Sequence, residues 1–332
     1  MNRLTTKSNF LEATLVSFPI WIPFLYYFLL NEFPAYELVY LYFIFFVLGE
    51  FHFGATWVFL IDKSNRNFMR EHFFYAYTVP ILMIIFFVST WFFISPFIAF
   101  FLSTLFNIFH VTRQSVGITK LYASDSLTRI FPQLVVYVNS FMPLFYGFLK
   151  YVNIDFINLY FVDVVFFITL SILIISIIAS LFILFLNFKK YSNLCFSTIT
   201  GSVLYAPFLL DISFIQAGAM GIGMHYIQYI TLQMIIFFRK RKTISYEGIY
   251  DRVANNLIVI SIFILFYILI MGMLLYFGRD HTANSDEFFA SGLNFLYFIP
   301  FIMHNIHFYA DMFIWKFSNP HIRKNIGSFL FG

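Results

Sequence analysis

The chain has 332 residues, of which 61% are hydrophobic and only 11% charged, with a net charge of +4. A soluble domain is roughly half apolar and a quarter charged, and no soluble core could hide 52 phenylalanines, so lipid is the expected solvent for much of the surface. The basic residues fall in short loops, which reads as a topology signal and not as a nucleic-acid surface. The one cysteine, Cys195, excludes an intramolecular disulfide and a thiolate metal cluster.

A spanning helix needs about 20 mostly apolar residues. Candidates run roughly over 10–30, 36–61, 73–93, 97–120, 131–149, 158–188, 194–210, 218–238, 254–277 and 288–315. The first follows a basic start, "MNRLTTKSNF", without a small-residue cleavage site, and reads as a retained helix. The seventh is diluted by Ser197, Thr198, Thr200, Ser202 and Pro207. Lys and Arg gather at 3–7, 63–70, 120–129, 189–190, 239–252 and 316–324, while the alternate loops are short or acidic. The positive-inside bias places the basic set in the cytoplasm. The expected fold is therefore all-α: a polytopic integral membrane helical bundle of about ten spans. Residues 1–332 form a single transmembrane domain with both termini cytoplasmic, in a bacterial inner membrane.

Of the eight histidines, His72, His281 and His321 fall in loops or at helix ends and read as surface residues. The other five lie within segments two, four, eight and ten. Counted back from the cytoplasmic ends they sit roughly 9–14 residues in, or roughly 13–21 Å deep. Ionisable groups at that depth are costly and normally face a bundle interior or a wet cavity, so a shared stratum points to one common site.

In chain order, the second segment carries "GEFHFGATW". Glu50 and His52 are about 200° apart on an ideal helix and face one centre only if the helix is distorted, which Gly49 and Gly54 permit. Glu50 reads as a protonated or hydrogen-bonded packing carboxyl, or else as a further metal ligand. The fourth carries "FHVTRQ", where His110, Arg113 and Gln114 share a face. Arg113 either snorkels to headgroups or clamps an anionic group on a substrate. In the eighth, "MHYIQY" puts Gln228 one turn from His225. The tenth holds "MHNIHFYAD", with His304, His307 and Asp311 on one helical face. The expected metal set is His52, His110, His225, His304, His307, Asp311 and Glu50. Arg113, Gln114 and Gln228 are the expected catalytic or orienting residues.

All-nitrogen and oxygen ligation favours iron, zinc, manganese or copper over thiolate-loving ions. No HExxH occurs, which removes support for a zinc metalloprotease. Four or five histidines with a carboxylate exceed what catalytic zinc usually takes and suit non-haem iron, mononuclear or dinuclear; haem ranks below it. "FHFGATW" at 51–57 resembles the His-Phe-Gly element of integral-membrane β-carotene-cleaving dioxygenases of the Brp/Blh type, which implies His52 as an iron ligand. That family's Pro-His-Gly-Ala and paired-histidine elements are absent, so the resemblance carries the general class and not carotenoid specificity. The expected function is an O2-dependent oxygenase, hydroxylase or desaturase acting on a lipid or isoprenoid, with an electron donor as partner and no nucleic acid. A proton-coupled or metal-ion transporter using the same polar layer is the alternative, followed by a haem b protein.

Overall fold

The computed structural model describes residues 10–61, 63–123, 126–151, 159–243, 256–278 and 295–330. Among them there is no strand. In chain order the helices of eight residues or more are α1 (Trp21–Glu32), α2 (Glu50–Ile61), α3 (Lys63–Glu71), α4 (Val79–Ser89), α5 (Pro96–Tyr122), α6 (Ser126–Tyr151), α7 (Leu159–Leu186), α8 (Phe188–Val203), α9 (Phe214–Thr243), α10 (Leu257–Phe277) and α11 (Phe295–Ile314). His281, and the loop charges at 244–255 and 279–294, lie outside the described residues.

Four stretches are long and apolar enough to cross a membrane: Pro34–Leu60, Phe74–Ile94, Leu159–Leu186 and Leu257–Phe277. A fifth is added if the bent pair Phe10–Ser17 and Trp21–Glu32 counts as one span. The described residues of each of the ten expected segments are mostly helical, but length and apolarity alone support only these four or five as spans. The other helices are diluted by polar residues that are buried, such as Thr112, Gln114 and Ser115 on α5 and Gln228 and Gln233 on α9.

The first segment, expected as one continuous helix, is broken. Its two halves meet at 73°, across "SFPI". Pro19 has no N–H to give and its ring opposes the preceding turn. The break frees carbonyls that must find donors in an apolar interior. Gln228 Nε2 donates to the Val16 carbonyl at 2.8 Å, and the Thr200 hydroxyl donates to that of Ser17 at 2.9 Å.

The chain divides into two compact units, one of residues 1–48, 111–232 and 331–332, the other of 49–110 and 233–330. In the first, α6, α7 and α8 pack together, with Asn139 Nδ2 donating to Ser176 Oγ at 2.9 Å between α6 and α7. A Cβ added at Gly221 of α9 would overlap the Leu204 carbonyl, so only glycine permits this approach of two backbones.

In the second unit α2 packs against α10 and α11. A Cβ at Gly54 would lie 3.0 Å from Tyr267 Cδ1, so the missing side chain is what seats the Tyr267 ring on α2. Phe87, Trp91, Phe298 and Phe301 form an aromatic block between α4, its C-terminal extension and α11. Arg239 donates to the Phe329 carbonyl at 2.8 Å and ties the end of the described chain to α9.

Candidate metal centre

The second unit gathers His52 from α2, His110 from α5, and His307 and Asp311 from α11. All four are buried, and their candidate ligand atoms lie within 4.8 Å of one another. The Nε2 atoms of His52 and His307 are 3.1 Å apart. Asp311 Oδ2 lies 3.6 Å from His307 Nε2 and 3.9 Å from the Nε2 of both His52 and His110. The His52 and His307 rings meet edge to face at 4.7 Å, and the His110 and His307 rings at 5.4 Å.

Two features explain the convergence. His307 and Asp311 are one turn apart on α11, so their side chains share a face. His52 and Thr56 are likewise one turn apart on α2. The two helices then present matched rungs: His52 opposite His307, and Thr56 opposite Asp311.

The geometry fits a small cation. Metal–nitrogen bonds of about 2.0–2.1 Å place neighbouring donors about 3 Å apart. The shortest edge here already has that length, and all four donors lie within 4.8 Å of one another. Asp311, with no exposed side-chain surface, brings a negative charge into an apolar interior, which is costly without a compensating cation. Three imidazoles and one carboxylate suit iron, manganese, zinc or copper(II). Cys195, the soft donor, is buried in the other unit.

The carboxylate is oriented by residues that sequence reasoning missed. The Thr56 hydroxyl lies 3.1 Å from Asp311 Oδ1 and 3.3 Å from the His52 carbonyl. Gln233 Nε2 donates to Thr56 Oγ1 at 3.1 Å and approaches the His52 carbonyl at 3.4 Å. Both side chains are fully buried. Thr56 was legible in principle, because it lies one turn past His52. Gln233 sits on α9 eight residues beyond His225, and nothing local marks it.

Two residues of the expected set form a pair of their own. His304 Nε2 is 2.7 Å from Glu50 Oε1. Glu50 is completely buried, whereas the His304 side chain keeps 21% of its surface. The ring of Phe53 separates this pair from the cluster, with its centroid 4.3 Å from that of His304 and 4.5 Å from that of His307. The roughly 200° between Glu50 and His52 is the cause. The two flank opposite edges of the α2 face, with Phe53 between them, and each meets a different histidine of α11.

The remaining expected residues belong to the first unit. The ring of His225 is buried 5.0 Å from that of Tyr229. The convergence expected of five imidazoles is thus found for three, and His225, His304 and Glu50 are not in the four-residue group. Gln228 is spent on the carbonyl freed at the helix break, and the backbone carbonyl of Gln114 accepts from the Tyr229 hydroxyl at 3.1 Å. Arg113 is exposed, as a snorkelling side chain would be. No family model, curated protein or solved structure matches this chain.

Proposed function

We propose that this chain is an integral-membrane metalloenzyme with one non-haem metal ion, iron by preference, that oxidises a hydrophobic lipid or isoprenoid with O2. The observation that carries this reading is the approach of three imidazole Nε2 atoms to one buried carboxylate oxygen. Such a set leaves coordination positions open, and iron with open positions supplies O2 activation. His52, His110 and His307 would hold the ion and Asp311 would balance part of its charge. Phe53 and Phe308 pack against the cluster, with Phe106 against Phe308, an apolar surround that would exclude water and suit an apolar substrate. The Phe53 ring between the cluster and the Glu50–His304 pair favours one ion over two. Ten spans with both termini cytoplasmic remain the topology that loop charge favours.

Two other readings fit less well. Haem b would take two of these imidazoles and leave the third, together with the buried carboxylate, without a role. The broken first segment favours a transporter, because unwound carbonyls often bind ions in that class. Here, however, the Val16 and Ser17 carbonyls already accept from Gln228 and Thr200.

The deciding experiment is elemental analysis of the purified protein with an electron paramagnetic resonance spectrum of its nitric oxide complex. Iron in stoichiometric amount with a high-spin iron–nitrosyl signal is expected. Protein that retains no metal and takes none up on reconstitution would overturn the proposal.

A further inference from the structure

Resting on the reading of the four-residue group as a metal centre, we infer that Thr56, set in place by Gln233, is a positioning residue that restricts Asp311 to one-oxygen ligation. The centre then has four protein donors and keeps room for a small exogenous ligand.

The argument starts from the hydrogens. Gln233 Nε2 has only protons to offer, so at 3.1 Å the Thr56 oxygen must accept from it. The single hydroxyl proton of Thr56 is thereby turned away from Gln233, toward Asp311 Oδ1 at 3.1 Å and the His52 carbonyl at 3.3 Å. Both of those can only accept when the carboxyl is ionised. Oδ1 is therefore held on the side away from the imidazoles. Oδ2 is the oxygen facing them, at 3.6 Å from His307 and 3.9 Å from His52 and His110.

For Asp311 to chelate an ion through both oxygens, Oδ1 would have to leave Thr56. That would leave the Thr56 hydroxyl with only the longer contact to the His52 carbonyl, at 3.3 Å, in a region where Thr56 and Gln233 are fully buried. A hydrogen bond to an ionised carboxylate is stronger than one to a neutral carbonyl, so the relay opposes chelation. The same two side chains reach the His52 carbonyl, and so fix one ligand's backbone and another's side chain together.

Thr56→Val keeps the shape of the side chain and removes its proton. Thr56→Ser restores the proton. Cobalt(II) is a suitable probe, because its visible bands weaken and shift as the coordination number rises, and its binding is read without any turnover. With purified full-length protein, Thr56→Val is expected to bind cobalt(II) about 10–100-fold more weakly, with weakened and shifted bands. Azide, added as the exogenous ligand, should perturb the wild-type spectrum and have less effect on the variant. Thr56→Ser should return all three signals to wild type. Gln233→Leu, which frees the hydroxyl to turn, should move them in the same direction by less, and it supplies the test if the valine variant does not fold.

Wild-type cobalt bands in a folded Thr56→Val protein would overturn the positioning role, even if affinity fell, because a merely structural effect would do the same. Wild-type protein that binds no cobalt(II) would instead remove the metal centre itself, and this inference with it.

Discussion

At the scale of single residues, chemistry separates histidines that composition treats alike. His52, His110 and His307 lie almost completely out of reach of solvent around one carboxylate, whereas His304 is partly exposed and spent on Glu50. Removing a ligand deletes a coordinate bond, while removing a supporting hydrogen bond only loosens one. His52→Ala, His110→Ala and His307→Ala are therefore expected to purify with little metal. His304→Ala and Glu50→Gln should keep most of theirs. Elemental analysis of the five variants side by side checks this. Metal lost from His304→Ala but kept in His307→Ala would reverse the division of roles on α11. Arg113→Lys, at an exposed position, should leave metal content unchanged.

At the scale of elements, the break at Pro19 explains where a conspicuous glutamine goes. Gln228 lies one turn from His225 and reads as an orienting residue in sequence, yet its amide closes a carbonyl opened by the bend. Gln228→Leu leaves the Val16 carbonyl buried and unsatisfied, an expected loss of about 1–3 kcal/mol. Thermal unfolding in detergent should show that loss, and metal content per folded chain should stay at the wild-type level. Unchanged stability with lost metal would return Gln228 to the site. The π-helical stretch Phe43–Gly49 runs directly into α2; such turns are frequent at functional sites.

At the scale of the whole molecule, the governing fact is the exposed apolar surface. Phe10, Phe93, Leu159 and Phe185 are all at least 80% exposed, an arrangement that water penalises and lipid does not. Loop charge then gives the expected orientation. A reporter fused after residue 245 should behave as cytoplasmic and one near residue 283 as external, although both positions lie outside the described residues. Protease protection or alkaline phosphatase activity in intact cells would read this directly. The opposite pattern would reject the common depth expected of the five histidines that lie within helices.

By itself, the sequence determined the class of protein, the helical positions and the neighbours along each helix. Apolar runs and turn-by-turn spacing are local properties, so they placed His307 and Asp311 on one face and held Glu50 and His52 apart. The break in the first segment also had its local sign, Pro19, which an apolar run on both sides concealed. What only the tertiary structure decided was the rotation of each helix about its own axis and its register against its neighbours. An amphipathic helix announces its inward face, but a helix enclosed on nearly every side does not, and α2 and α9 have almost no exposed residue among those described. The pairing of His52 with His307, the diversion of His304 to Glu50, and the reach of Gln233 to Thr56 span 177 to 255 residues of chain. They arise from close packing between helices, where a shift of one residue in register would turn each of these side chains toward a different partner.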